Sequence, residues 1–418
     1  MVIPMLAARS AWNRRSSLVL MLIAIALSTA LLLGIERVRQ QVRVGFAQSI
    51  AGTDLVVGAR SSPVQLVLSA IFRLGVPTHN VSWSSVQRLA AHPSVAWTVP
   101  LSLGDSHRGF PVLATNAAYF DHYRYGSGKP LALATGGRFD ALFDAVLGAE
   151  VARALDYRVG DRIVLSHGGG QTASPAHADK PFTVVGVLAP TGTPVDRTVH
   201  IGLPAMQAIH LDWEGGAPMP GLAIPPELVR KFDLTPTSVS AVLVGLKLRS
   251  HVFSVQREIA SDRDEALTAV LPGVALDELW GVIGHAERAM LLMSGLVVFV
   301  GLAGLVSTVL GALDARRREL ALLRAAGASP RHLMAMLALE GFVVVCAGAA
   351  LGVALLSVLS VLLRPWLEAE LGVALPLAWP TLREWALLGA VFLTGFCAGL
   401  LPGWRAYRMS VSDGLFPN

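Results

Sequence analysis

Hydrophobic residues are concentrated in four long runs, at residues 17–35, 289–313, 332–363 and 385–403. A hydrocarbon core of about 30 Å needs about 20 apolar residues in a helix, so we expect four transmembrane helices. The third run is longer than a single span requires, so its helix is expected to be tilted or to project into water at its ends. The first run could be a cleaved signal peptide, but its apolar core is too long and no small residues mark a cleavage site. We therefore expect a retained anchor.

Charges beside these runs predict the orientation of the chain in the membrane. Arginines precede the first run, separate the second run from the third, and follow the fourth. Because basic residues stay on the cytoplasmic side, both termini and the loop at 314–331 are expected in the cytoplasm. Residues 36–288 and a short link at 364–384 then lie outside.

Composition agrees with a multi-pass membrane protein. The 418 residues are 53% hydrophobic, the net charge is +5, and the mean hydropathy is +0.56, which is too apolar for an ordinary soluble enzyme. The arginines follow the membrane topology and are not interleaved with aromatic residues, so we expect contact with the lipid bilayer and none with nucleic acid. Cys346 and Cys397 both lie in apolar runs, so the outside segment has no disulfide and depends on its own core.

Shorter patterns between residues 36 and 288 predict an α/β extracytoplasmic domain. Strand patterns occur at Thr53–Val57, Val95–Leu101, Val112–Thr115, Arg162–Leu165, Phe182–Leu188 and Ser240–Leu248. Helical spacing occurs at Ser84–Ala91, Ala145–Leu155, Leu203–His210 and Val255–Leu271. Since both ends of the domain enter the membrane, we expect an α/β base from residues 40–105 and 236–285, with a β-rich lobe inserted at 106–235.

The segment between the second and third runs has the pattern of a short basic helix followed by a turn. Residues 314–330 are Asp-Ala-Arg-Arg-Arg-Glu-Leu-Ala-Leu-Leu-Arg-Ala-Ala-Gly-Ala-Ser-Pro. Most of these residues favour a helix, Gly327 suits the end of that helix, and Pro330 suits the first position of the next one. The sequence therefore predicts a cytoplasmic helix directly before the third membrane span.

This segment resembles the coupling segment of the MacB/FtsX-like ABC transporter permeases, the type VII class to which LolC/LolE and MacB are related. The resemblance implies a porter-plus-Sabre-like domain outside, an elbow helix at residues 1–16 and a cytoplasmic tail at 404–418. It also implies contact with an ATPase through the coupling residues Arg316, Arg317, Arg318, Glu319, Leu320, Leu323, Arg324, Ala325, Gly327 and Ala328.

In such systems two permeases, as a homodimer or a heterodimer, bind two copies of a separate ABC ATPase, and that subunit holds ATP and Mg. The resemblance therefore implies a non-catalytic transmembrane subunit in a bacterial inner membrane. It would convert ATP hydrolysis into movement of its outside domain (mechanotransmission), for export or extraction of a lipoprotein, a lipid-like molecule or a small molecule. A periplasmic partner is also expected.

Two alternatives remain open for the function. Residues 56–63 and 189–198 resemble a subgroup of these permeases that is associated with metal starvation, which keeps a zinc- or metal-related permease open. The other alternative is an FtsX-type regulator of a periplasmic hydrolase, although such regulators usually have a much smaller outside domain.

Motifs for catalysis or nucleotide binding are not found in the sequence. No G-x-x-x-x-G-K-[ST] phosphate loop is present, and Gly126-Ser127-Gly128-Lys129-Pro130 lacks both the upstream glycine and the hydroxyl ligand for magnesium. The nucleophile pattern G-x-S-x-G is also missing. We therefore expect no catalytic residue and no cofactor in this chain.

Histidines are the only candidates for a metal site. All but one of the 11 lie outside the membrane runs. His167 and His177 flank a glycine-rich loop, and Asp179 follows it, so these three residues are weak candidates. Their spacing gives no preorganised ligand pair, so we expect scattered histidines and no metal site of defined stoichiometry.

The segment at residues 62–75 predicts an apolar helix with a Ser-Pro start and a glycine end. It either lies buried in the base or faces lipid, a partner or an apolar substrate. On the second interpretation its contact residues would be Leu66, Leu68, Ile71 and Phe72.

Glu340 is a carboxylate inside the third apolar run, where a charge is costly unless it is paired or hydrated. The MacB/FtsX-like permeases often have a glutamate near this place. We expect Glu340 to pair with Arg9 or Arg14; a path for protons or ions is the alternative.

Overall fold

The computed structural model describes residues 15–49, 51–75, 77, 79–167, 176–214, 217–219, 224–315, 329–371 and 379–408. The chain divides into two compact units. One unit contains Met1–Gln41, Gly284–Glu368 and Ala374–Asn418, and we call it the membrane unit. The other contains Val42–Ile283 and Ala369–Val373, and we call it the outer domain.

Helices in the described residues are numbered in chain order. They are α1 (Arg15–Gln48), α2 (Pro63–Ala70), α3 (Trp83–Ala91), α4 (Ala118–His122), α5 (Ala149–Leu155), α6 (Leu203–Ile209), α7 (Pro226–Val229), α8 (Val252–Ala260), α9 (Pro272–Ala315), α10 (Pro330–Leu371) and α11 (Leu382–Arg408).

Strands are numbered in the same way. They are β1 (Leu55–Ala59), β2 (Val81–Ser82), β3 (Val95–His107), β4 (Phe110–Thr115), β5 (Arg124–Tyr125), β6 (Lys129–Pro130), β7 (Leu133–Gly136), β8 (Asp144–Leu147), β9 (Arg162–Ile163), β10 (Ser166–His167), β11 (Phe182–Leu188), β12 (Val199–Gly202), β13 (Trp213–Glu214), β14 (Ala217–Pro218), β15 (Ser238–Val239), β16 (Ala241–Leu246) and β17 (Leu267–Val270).

Four helices within the described ranges are long and apolar enough to cross a membrane: α1, α9, α10 and α11. Together with the sheet-rich outer domain, they confirm the predicted fold class of four membrane helices plus an α/β domain. α9 begins at Pro272, well before the apolar run that predicts it. At 1.5 Å per residue its 44 residues span about 66 Å, roughly twice the thickness of a hydrocarbon core.

Small residues let α10 pack closely against α1 in the membrane unit. A Cβ atom placed on Gly348 would lie 2.8 Å from the Cβ of Ile25, and one on Gly352 would lie 2.6 Å from the carbonyl oxygen of Ala26. Neither position has room for a larger side chain. Close backbone approach through glycine is the usual way in which membrane helices associate.

Ion pairs connect α1 with two other helices of the membrane unit. The carboxylate of Glu36 is fully buried and lies 2.7 Å from Nη2 of Arg39 and 3.2 Å from Nε of Arg383. Arg37 binds Glu384 at 2.7 Å, and Arg39 also reaches Glu287 at 3.3 Å. α1 is therefore tied to α9 through Glu287, and to α11 through Arg383 and Glu384.

The outer domain is built on an 11-stranded sheet. Nine strands follow the order β17-β1-β16-β3-β4-β12-β8-β11-β7, and β10 and β9 pair with β3 and β11 beside this path. β3 is its central element, because its first half pairs with β16 and its second half pairs with β4. β10 extends the sheet by pairing with the end of β3. One strand therefore joins the part predicted as the base to the part predicted as the lobe.

Two hydrophobic clusters form the core of the outer domain. One contains Leu147, Phe182, Ile201 and Val244, and the other contains Val56, Leu113, Tyr119 and Leu243. Neighbouring residues of β1, β4 and β16 fall in different clusters. Because successive strand residues point to opposite faces, the sheet is covered on both sides.

Two of the helices predicted from the sequence are partly strands. Ala145, Val146 and Leu147 belong to β8, and the helix starts only at Ala149. Similarly, a helix was predicted over Val255–Leu271. The observed helix ends at Ala260, and Leu267–Val270 forms β17. In both segments a short, mostly buried run belongs to the sheet, where strand pairing outweighs helical spacing.

Candidate functional site

Four potential metal ligands converge in the outer domain: Asp105, His167, His177 and His210. One ligand atom from each residue lies within 4.8 Å of all the others. Within the described part of the chain, this is the one group of three or more such residues that meets this criterion. We call these four residues the His–Asp cluster.

Sheet pairing and a helix end bring the cluster together. β10 pairs with β3 so that His167 stands directly opposite Asp105. His210 follows the last residue of α6 and caps that helix. The backbone N–H of His177 donates to the carbonyl of Leu165 at 2.9 Å, which fixes it beside β10. Three separate chain segments therefore meet at one point.

Two members of the cluster are buried without hydrogen-bond partners. His177 has no exposed surface, and Asp105 is only 4% exposed. Among the described residues, neither ring nitrogen of His177 and neither carboxylate oxygen of Asp105 has a hydrogen-bond partner. The carboxylate lies 3.1 Å from Nδ1 of His167, but the two groups are not aligned for a hydrogen bond. Leaving such groups unsatisfied is costly in a protein interior.

His210 presents a defined nitrogen to the cluster. Its Nδ1 lies 2.8 Å from the carbonyl oxygen of Met206, and because a carbonyl only accepts, this nitrogen has the proton. Nε2 then faces Nδ1 of His167 at 3.2 Å and the carboxylate of Asp105 at 3.6 Å. Burial lowers the pKa of His210, but the nearby carboxylate of Asp105 outweighs this effect and leaves that pKa raised.

His177 behaves differently from His210. Burial lowers its pKa to about 4, against the opposing charge of Asp105. Its imidazole is therefore neutral at physiological pH. A neutral imidazole is the form that binds a metal ion. The ring also packs on Trp213, with ring centroids 4.0 Å apart.

Asp179 was a sequence-based candidate together with His167 and His177, but it lies outside the His–Asp cluster. Its carboxylate binds Nζ of Lys180 at 2.6 Å. Lys180 is fully buried, and Nζ also contacts both carboxylate oxygens of Asp212 at 2.7 and 2.8 Å. Since Lys180 follows His177 by three residues and Asp212 follows His210 by two, this ion pair holds two ligand-bearing segments together.

The sequence analysis missed Asp105 and His210 as members of a site, and its spacing argument predicted no preorganised ligand set. The structure differs because strand pairing and a helix end join residues that are far apart along the chain. No local signal marked Asp105, because strands disfavour both Gly104 and Asp105, and the strand predicted at Val95–Leu101 ends before them.

Other predicted site residues are placed as follows. The coupling residues from Arg316 to Ala328 lie outside the described residues. Glu340 lies on the exposed side of α10, and Arg9 and Arg14, its expected partners, are also outside the described residues.

The predicted contact helix at residues 62–75 is α2 with the residues that follow it. Leu66, Ile71 and Phe72 are buried in the core, and Leu68 is half-buried. Three of the four candidate contact residues are therefore inaccessible to a substrate or a partner. Their burial supports the first interpretation of this segment, as part of the base.

Comparisons with known proteins identify the family. A model of the MacB-like periplasmic core domain matches residues 17–256, more than half of the chain. A model of the FtsX-like permease C-terminal region matches residues 291–411. This chain belongs to the MacB/FtsX-like permeases of ABC transporters, a family of membrane proteins with a periplasmic domain. The resemblance found in the basic segment after the second apolar run is therefore confirmed.

Solved structures with low similarity were also found. The periplasmic region of MacB from Actinobacillus actinomycetemcomitans is 11% identical, covers 55% of this chain and 93% of its own, and has a TM-score of 0.34. The extracellular domain of the noncanonic ABC-type transporter YknZ from Gram-positive bacteria is 13% identical, covers 52% of this chain and 99% of its own, and has a TM-score of 0.30. Among curated protein sequences, none matches this chain.

Proposed function

We propose that this chain is the non-catalytic transmembrane subunit of an ATP-driven complex, and that it transmits movement from a separate ABC ATPase to its own outer domain. Two permeases and two ATPase subunits would form the complex in a bacterial inner membrane, with both termini in the cytoplasm. ATP and Mg would be bound by the ATPase alone.

The continuity of two helices is the observation that supports this proposal best. α1 and α9 each have residues in the membrane unit and in the outer domain, without a loop in between. Each of these helices is therefore a continuous covalent connection along which the proposed movement would pass. Mechanical work on a lipoprotein, a lipid-like molecule or a partner protein would use such a connection.

The basic segment after α9 is the proposed contact with the ATPase. Replacing Arg317, Glu319 and Arg324 together with alanine should abolish copurification of the ABC ATPase that accompanies the wild-type chain in its native host. Membrane insertion should be unchanged, because none of these residues belongs to an apolar run. The matched control replaces Arg405 and Arg408, which are basic residues on the same expected side of the membrane.

Copurification of the ATPase with the triple variant at the wild-type level would contradict the assignment of the coupling segment. Failure of any ABC ATPase to accompany the wild-type chain would contradict the proposed function itself.

A metal-related permease is the second candidate, and the His–Asp cluster favours it. The cluster lies in the outer domain, the part on which the ATPase would act. Whether it binds a metal ion is a separate question from ATPase coupling.

A further inference from the structure

We propose that Asp105, His167, His177 and His210 bind one Zn²⁺ ion in the outer domain. This site goes beyond the permease function and does not depend on it, since a chain that couples to no ATPase could still bind the ion. Three imidazoles and one carboxylate are a ligand set that suits zinc.

Distances within the cluster match a tetrahedral site. With zinc–ligand bonds of about 2.0–2.2 Å, neighbouring ligand atoms of a tetrahedron are separated by about 3.3–3.6 Å. The nitrogens of His167 and His210 are 3.2 Å apart, and these two atoms lie 3.1 and 3.6 Å from the same oxygen of Asp105. Three ligand atoms therefore already form one face of the tetrahedron.

His177 supplies the fourth ligand. Its nitrogen lies within 4.8 Å of the other three atoms, so a side-chain adjustment of at most about 1.5 Å closes the tetrahedron. The adjustment breaks no hydrogen bond among the described residues, because both ring nitrogens lack partners there. A cation would also satisfy the buried carboxylate of Asp105, whose two oxygens accept no hydrogen bond among the described residues.

Groups around the ligands hold them in a binding arrangement. The carbonyl of Met206 fixes the His210 ring with Nε2 directed at the cluster, which is the usual second contact of a zinc-bound histidine. The buried pair of Lys180 and Asp212 anchors the segments of His177 and His210. Such outer contacts typically contribute about 10–100-fold to metal affinity.

The ligand set favours zinc over calcium and magnesium, and a structural site over a catalytic one. Calcium and magnesium need mainly oxygen ligands, so three imidazoles select against them. Four protein ligands leave no position for water or substrate, which is typical of a structural rather than a catalytic zinc site. The ion would join β3, β10 and the end of α6, so its binding stabilises the outer domain.

Metal content of the purified full chain tests the proposal. The protein is prepared in detergent with a tag that contains no histidine, stripped with a chelator, and titrated with Zn²⁺ against a fluorescent competitor. We expect one ion per chain in the wild type. Asp105→Asn and His177→Leu should each weaken binding by more than about 100-fold, since each removes a ligand and not merely an outer contact.

His92→Ala is the matched control, because it also removes an imidazole beside a carboxylate, that of Glu258 at 3.2 Å, but outside the cluster. It should retain one ion per chain with unchanged affinity. Wild-type protein that binds no stoichiometric Zn²⁺, or a loss as large in the control as in the ligand variants, would overturn the proposal.

Two measurements protect the test against variants that fold poorly. Co²⁺ added to the wild-type chain should give the intense visible absorption of a tetrahedral site, and Zn²⁺ should displace it; a weak octahedral spectrum would refute the geometry. His177→Leu should not lower the unfolding temperature of the metal-free chain, because it removes an unsatisfied buried imidazole. A large decrease without metal would instead make His177 a structural residue and refute its role as a ligand.

Discussion

The buried ion pair of Lys180 and Asp212 offers a quantitative test of how the outer domain is held together. Nζ of Lys180 has no exposure and contacts both oxygens of Asp212. Asp212→Asn keeps the shape of the side chain but removes its charge. The ammonium of Lys180 then remains buried with Asp179 as its only carboxylate contact among the described residues, and Asp179 is 44% exposed.

The size of the effect follows from the cost of an uncompensated buried charge. Removing one partner of a buried ion pair typically costs about 3–5 kcal/mol. Asp179 offsets part of this loss, but water screens an exposed carboxylate, so we expect about 3 kcal/mol. Asp212 also accepts the backbone N–H of Ile224 at 3.0 Å, and an asparagine oxygen can keep that contact.

Hydrogen exchange of the full chain in lipid nanodiscs measures this loss without isolating the domain. A decrease of about 3 kcal/mol in the free energy of opening speeds exchange by about 150-fold. The effect should appear in peptides from β8, β11 and β12, and not in those from α10. Asp233→Asn is the control, because this exposed carboxylate contacts Thr235, only two residues away along the chain.

Two results would refute this reasoning. The first is exchange in Asp212→Asn that is the same as in the control. The second concerns the double variant Lys180→Met with Asp212→Leu, in which no charge is left unpaired. It should lose less stability than Asp212→Asn alone, because apolar replacement of a complete buried pair is often neutral. A greater loss in the double variant would mean that packing, and not the unpaired charge, explains the effect.

Two further predictions concern a buried histidine and the membrane unit. Burial and the charge of Arg73 lower the pKa of His200 to about 3, so it stays neutral in the folded domain while the unfolded chain takes up a proton below about pH 6.5. Acidification from pH 7 to 5 should therefore lower the free energy of unfolding by about 2 kcal/mol more in the wild type than in His200→Leu. Hydrogen exchange, corrected for the intrinsic rates at each pH, measures this difference. Equal losses in the two proteins would contradict the prediction. Glu36→Gln should destabilise the membrane unit by roughly 2–3 kcal/mol, because buried Glu36 pairs with Arg39 and Arg383. A lower unfolding temperature in detergent would reveal this, and no difference from Glu278→Gln, an exposed control, would contradict it.

The sequence was sufficient for the family and the fold class because those signals are local. Apolar runs predict membrane helices by length alone, and the basic segment after the second run is contiguous. Phe182–Leu188 was also predicted with its observed bounds, since its alternating burial follows the period of a strand. Each of these patterns lies within one element and needs no knowledge of distant residues.

Short apolar segments were harder to assign because burial and not periodicity decides their structure. Ala145, Val146 and Leu147 have no exposed surface, since β8 lies between β12 and β11. A run of this length is compatible with either a helix or a strand until its neighbours are known. The same ambiguity affected the strand at Leu267–Val270, which pairs with β1 from the other end of the domain.

The candidate site was the least predictable feature, because its four members come from three distant segments. His167 and His177 were identifiable as neighbours along the chain. Asp105 joins them through strand register, and His210 through the end of α6. Neither relationship leaves a spacing pattern in the sequence. Asp105 also lies beyond the strand predicted at Val95–Leu101, and only the structure extends that strand to His107.

Polar clusters explain how the outer domain can dispense with disulfides. Both cysteines of the chain lie in membrane helices, so no covalent link closes the long connections between β10 and β11 or between α6 and β15. The Lys180–Asp212 pair joins these two connections. A metal ion in the His–Asp cluster would join both of them to β3 as well. A disulfide is permanent, whereas an ion can leave, so a domain fixed in this way could be stable when the metal is abundant and looser when it is scarce. If the outer domain moves as proposed, such a link would connect that movement with the supply of the metal.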